Sequence, residues 1–142
     1  MRCSGSCNFV LQRLDLIMKI IFNISRILLG LNFIIFGING LYPFIPVPEF
    51  HPFMQMMVDS GLIVVVKVIE IVGGILLLTN RFTLVGLLLL GPVVFNILLY
   101  HLLLDPRNML VGFINLILYI ILVHGFWPYF QKLLVLKPKA KV

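Results

Sequence analysis

Long apolar runs separated by short polar breaks organise this chain. IIFNISRILLGLNFIIFGINGL fills about 20–41, and comparable runs fill about 61–78, 82–104 and 109–126. A helix needs about 20 apolar residues to cross the hydrocarbon core of a bilayer, so each run is long enough to span. The pattern predicts an all-α integral membrane protein, a four-helix bundle of antiparallel up-down topology. The breaks have the chemistry of turns. Thr79-Asn80-Arg81 leaves room only for a tight helical hairpin, which makes the second and third spans antiparallel neighbours. Asp105-Pro106-Arg107-Asn108 forms the next turn, with Asp105 before a proline marking a helix end. Pro92 lies inside the third span, where it kinks the helix or frees a carbonyl. Trp127, Pro128 and Tyr129 read as an interfacial belt after the fourth span.

The one long loop, YPFIPVPEFHPFMQMMVDS, carries Pro43, Pro46, Pro48 and Pro52, which forbid a continuous helix at its start. Its aromatics and methionines are too apolar for a free loop. It is expected at the membrane interface, with a short helix from Pro52 to Asp59, as an anchor in preference to a substrate lid. Residues 1–17 read as a polar, irregular N-terminal extension. Met18-Lys19 opens directly into the first run, which has no small-residue cleavage site after it, so the run is read as an anchored helix and Met18 as the natural start. Cys3 and Cys7 then carry no chemistry. Residues 18–131 form the four-span membrane domain, and 132–142 a basic, disordered cytoplasmic tail.

Composition agrees with this division. Of 142 residues, 61% are hydrophobic and 11% charged, with mean hydropathy +1.15, where a soluble domain carries about 25% charged residues. The net charge of +6 does not point to nucleic acid, since the basic residues lie in flanks and turns and offer no basic folded surface. It sets orientation instead. Arg13, Lys19, Arg81, Lys132, Lys137, Lys139 and Lys141 fall on one side against Arg107 on the other, which places both termini in the cytoplasm of a multi-pass cell-membrane protein.

Ionisable residues at membrane depth are functional-site hypotheses by default, and KVIEIVGGILLLTNRF contains two, Lys67 and Glu70. Counting 1.5 Å per residue from the outer helix ends puts Lys67 at ~10 Å, Glu70 at ~15, Asn32 at ~13, Asn96 at ~12 and Asn115 at ~10. One layer thus receives a polar residue from every span. Tyr100 and His101 lie above it near the outer mouth; Arg26 lies below it at ~22 Å, its side chain long enough to reach Glu70. Residues three, four, seven or eleven apart share a helix side, which aligns Lys67, Glu70 and Gly74; Arg26, Gly30, Phe33 and Gly37; Pro92, Asn96 and Tyr100; and Asn108, Gly112, Asn115 and Tyr119. Each stripe mixes polar with small residues, the composition of interhelical contacts in lipid. The same cluster therefore reads either as structural glue or as a ligand site.

Other site chemistries find less support. His101 and His124 are ~20 Å apart in depth, which excludes joint ligation of one haem. A metal site of His51, Glu49, His101 and Asp105 lacks diagnostic spacing, and the expectation is no metal. No Walker, Rossmann, GxSxG or CxxC motif occurs.

RILLGLNFIIFGINGL in the first span, KVIEIVGGILLLTNRF in the second and LLLLGPVVFNILLYHLLLDP in the third resemble the DoxX-like membrane proteins. The resemblance covers most of Ser25 to Phe126. It implies a four-helix membrane bundle and, for some members, association with oxidoreductases or thiol-stress complexes. With no cysteine in the spans, a redox role needs a bound quinone or an electron-carrying partner subunit. The expected function is a membrane subunit of a redox complex whose polar cluster binds a quinone-like molecule. The alternatives are a small homo-oligomeric transporter or channel, and a structural or assembly protein without a ligand.

Overall fold

The computed structural model describes residues 5–46 and 51–135. Among these, all regular structure is helical: α1 (Gly5–Leu41), α2 (Pro52–Asp59), α3 (Leu62–Leu78), α4 (Thr83–Leu103), a short 3-10 turn (Pro106–Asn108), α5 (Met109–Gly125) and α6 (Trp127–Val135). Two helices, α1 and α4, are long and apolar enough to cross a membrane, and α2 with α3 passes the same test as a pair bent by 90°. The 17 residues of α5 reach about 25 Å, the short end of the spanning range.

The N-terminal stretch corrects the expectation of an irregular extension. Helix α1 starts at Gly5 and runs unbroken for 37 residues, about 55 Å. Extending an existing helix is cheap once its nucleus has formed, and from Asn8 to Leu29 no glycine or proline interrupts. Asp15 and Lys19 add an exposed i,i+4 pair at 3.7 Å. Every described side chain from Phe9 to Ile21 is exposed, so this half of α1 packs on nothing among the described residues. Cys3 lies outside the described residues.

Four contacts join the long helices: α1 with α3, α3 with α4, α4 with α5 and α5 with α1. At each, numbering rises along one helix as it falls along the other. A Cβ on Gly37 would meet Ile71, whereas Gly30 faces Gly74 and Leu78. Gly73 faces Leu90, Gly86 faces Leu77, and Gly91 faces Tyr119 as Gly112 faces His101. Asn32 meets Asn115, and Phe22 stacks at a tilt on Phe126 with 5.2 Å between centroids. The closest approach is α1 on α3, where a Cβ on Gly74 would stand 2.7 Å from the Gly30 carbonyl oxygen. Only glycine permits that contact, the small-residue packing typical of helices in lipid.

Burial is inverted relative to a soluble protein. Leu29, Phe33, Leu77, Leu87, Leu90, Val94 and Leu122 form the core, but Ser25, Arg26, Asn39, Glu70, Thr83 and Asn115 are buried beside them while large apolar side chains cover the outside. An apolar exterior over a partly polar interior suits a lipid solvent.

The short helix expected in the loop is present. Asn39 Oδ1 accepts from the amides of Phe44 and Ile45 at 3.0 and 2.7 Å, which turns the chain out of α1. Residues 47–50 lie outside the described part. Then α2 forms over Pro52–Asp59, its first turn capped by the His51 ring, which accepts from Phe53 N at 3.2 Å. Gly61, at φ +74°, makes the corner into α3.

Candidate functional site

The predicted layer separates into distinct groups. Lys67 and Glu70 do form an ion pair, as three-residue spacing on a helix allows, with Nζ 2.8 Å from Oε2. Glu70 is 3% exposed and the Lys67 side chain 18%. The stem of Lys67 lies across Gly40, where a Cβ would collide with it, so the end of α1 supplies a slot for this side chain. The pair is a neutral unit at the α1–α3 contact, desolvated on the carboxylate side.

Arg26 does not reach Glu70, and the expected contact is corrected. Its Nη1 donates to the carbonyls of Leu77 and Leu78 at 2.7 and 3.2 Å. These carbonyls belong to the last turn of α3, where helical partners are missing and the dipole end is negative. Leu77 is seven residues beyond Glu70, about 10 Å along the helix. The antiparallel register of α1 on α3 therefore carries Arg26 past Glu70 to the far end. Arg26 is 8% exposed and its Nε, like Thr83 Oγ1, is buried without a hydrogen-bond partner among the described residues.

Asn32 donates through Nδ2 to Asn115 Oδ1, a direct bond from α1 to α5. Beside it lies an open groove of about 260 Å³ lined by Leu28, Asn32, Phe36, Val111, Ile114 and Leu118. On the next contact Tyr119 donates its hydroxyl to the Leu87 carbonyl at 2.9 Å, lying over Gly91.

Asn96 is not part of any of these groups. The polar stripe of α4, with Pro92 and Asn96, points outward; the face that packs inward is Thr83, Gly86, Leu87, Leu90, Val93 and Val94. That stripe fails because hydrophobicity does not choose between helix faces where the solvent is itself apolar.

Tyr100 and His101 sit at the other end of α4, half-buried. The Tyr100 ring meets His101 and His51 edge-on at 5.3 and 6.5 Å, and His101 Nδ1 lies 3.1 Å from the Asp105 carbonyl oxygen. Asp105 receives Arg107 Nε and Nη2 at 2.7 and 3.0 Å, and this guanidinium holds its carboxyl below the ordinary carboxylate range. Of the four residues weighed as a metal site, Glu49 lies outside the described residues, and no group of three or more histidine, cysteine or acidic side chains is poised for an ion among the described ones. Sequence reasoning passed over Ser25, Asn39 and Thr83. Only Asn39 left a signal, an asparagine at the polar end of a span.

Arg26, Lys67, Glu70, Asn32 and Asn115 thus have their main polar bonds inside the chain. An open groove lies over Asn32. Comparison with protein-family models, curated proteins and solved structures finds no match.

Proposed function

We propose that the chain is a multi-pass membrane subunit of the DoxX-like kind, an antiparallel four-helix bundle with both termini cytoplasmic, which holds the head group of a quinone-like molecule for a redox partner. The observation that carries this reading is the groove between α1 and α5. It opens on the apolar exterior, so a ligand enters from the bilayer, and its one polar lining residue is Asn32. At about 260 Å³ it is smaller than pockets for drug-sized ligands, which start near 300 Å³. An amide bonded once to Asn115 keeps a second N–H for a quinone carbonyl and an oxygen for a quinol hydroxyl. The ionic residues, engaged elsewhere, position the helices and leave recognition to the amide. Electrons come from the partner, since the spans contain no cysteine.

A purely structural or assembly role is favoured by the internal partners of Arg26, Glu70 and Asn39. The transporter reading has less support within a single chain, whose interior is filled by Leu29, Leu77, Leu87, Leu90 and Leu122.

The test is photolabelling in lipid nanodiscs with a short-chain azidoquinone, mapped by mass spectrometry. Saturable labelling within 28–36 and 111–118, displaced by unlabelled quinone and lost in Asn32→Leu, is expected. Unsaturable labelling, or labelling indifferent to Asn32→Leu in a variant that folds, refutes ligand binding and leaves the structural role.

A further inference from the structure

The end of the bundle at the α3–α4 hairpin holds a positive charge that the described residues do not balance. Arg26 is buried there, and its hydrogen bonds among the described residues run only from Nη1 to the neutral carbonyls of Leu77 and Leu78. No described carboxylate pairs with it: Asp15 pairs with Lys19, Glu70 with Lys67 and Asp105 with Arg107, while Asp59 precedes α3 at its opposite end. The guanidinium therefore keeps its full charge, and its buried Nε–H lacks an acceptor among the described residues. A buried cation in that state is costly unless an anion meets it.

A second group beside it has the same need. Thr83 opens α4, is 2% exposed, and its hydroxyl is buried without a partner among the described residues. It borders the same last turn of α3: three residues on, Gly86 stands against Leu76 and Leu77, and the Leu77 carbonyl receives Arg26. Phe82 at the N-cap supplies no side-chain cap, so the first amides of α4 also lack helical acceptors. The hairpin residues Thr79, Asn80 and Arg81 are exposed, which makes the way in short and adds a second cation along it.

We propose that this end of the bundle binds a phosphate group, as inorganic phosphate or as the head group of a phospholipid, held by Arg26 Nε, Thr83 Oγ1 and the leading amides of α4. Phosphate oxygens accept several bonds at once and supply the missing negative charge, and a helix N-terminus favours an anion. Water would satisfy the donors but not the charge. The level suits a head group, since Leu78 ends α3 and Arg26 acts within a turn of the hairpin, about 5 Å. The site belongs to α1, α3 and α4, apart from the α1–α5 groove, and does not rest on quinone binding. Only the lipid source rests on α3 and α4 crossing the bilayer.

The test follows the Arg26 Nε–H resonance of the full chain, isotopically labelled at arginine nitrogen, in a phosphorus-free detergent. It is assigned by elimination, replacing Arg2, Arg13, Arg81 and Arg107 with lysine in turn, so that Arg26 stays intact. One arm titrates inorganic phosphate, the other dihexanoylphosphatidylglycerol, with dihexanoylglycerol as the control lacking phosphate. A saturable shift is expected with phosphate or the phospholipid and none with the control. Thr83→Val keeps the side-chain shape without the hydroxyl and is expected to weaken binding about 10-fold, as loss of a bond to a charged group implies. Thr83→Ala is measured beside it, so that a folding loss in one variant leaves the other to read. Saturation by inorganic phosphate supports a free anion, and saturation by the phospholipid alone supports a head group. No saturable shift in either arm, an equal shift with the control, or binding unchanged in a folded Thr83 variant overturns the proposal and leaves the donors to buried water.

Discussion

Removing either partner of the Lys67–Glu70 pair should have unequal consequences. At 2.8 Å the gross attraction is about 6 kcal/mol with an effective dielectric of 20, but much of it offsets the desolvation of both charges. Lys67→Met keeps an unbranched stem in the slot over Gly40, so packing survives while Glu70, 3% exposed, loses its counter-charge. A buried charge stripped of its partner costs about 3–5 kcal/mol. Glu70→Gln leaves Lys67 unpaired instead, but its more exposed ammonium can extend toward the nearer helix end, and the loss falls to about 1–3 kcal/mol. The double variant Lys67→Met, Glu70→Met removes both charges at similar volume and should lie within about 1 kcal/mol of the parent. Equilibrium unfolding by SDS titration in mixed micelles, followed by circular dichroism, gives all corners of the cycle. If the double variant loses the sum of the single losses, the charges are uncoupled and the pair does not hold α3 in place.

Gly74→Ala puts a methyl 2.7 Å from the Gly30 carbonyl, a backbone atom that cannot rotate away, and should lower stability by about 1–3 kcal/mol in the same titration. Gly61→Ala meets no atom within 4 Å and should cost about 1–2 kcal/mol through its φ of +74° alone. The Asp105–Arg107 contact predicts acid sensitivity. Because the folded carboxyl titrates below its ordinary value of 3.8, its contribution is complete above that value and is lost as pH falls through the lower folded one. A thermal-stability profile from pH 6 to 2 should therefore fall less steeply at its acid end in Asp105→Asn, and parallel profiles would refute the assignment.

Much of this fold was legible because the signals are local. The apolar runs marked α1, α3, α4 and α5 to within a residue or two at all but one end, and the prolines with the Met-rich stretch marked α2 with its bounds. Lys67 and Glu70 were paired from three-residue spacing on one helix, and the common depth of Asn32 and Asn115 agrees with their bond across two. The exception at the N-terminus has a local cause too, since polar residues such as Gln12, Arg13 and Asp15 end an apolar run without ending a helix.

By itself the sequence determined which apolar segments are helical and, apart from the start of α1, where they end, because hydrophobic length does not depend on neighbours. Tertiary structure alone decided azimuth and register. The register of α1 on α3, set by Gly30 against Gly74, sends Arg26 to the last carbonyls of α3 and not to Glu70. The azimuth of α4 turns Leu87, Leu90 and Val94 inward and Asn96 outward. Where the surrounding solvent is lipid, transfer energy does not rank the two faces of an apolar helix, so the choice falls to close packing of glycine and leucine between helices, which only the assembled chain contains.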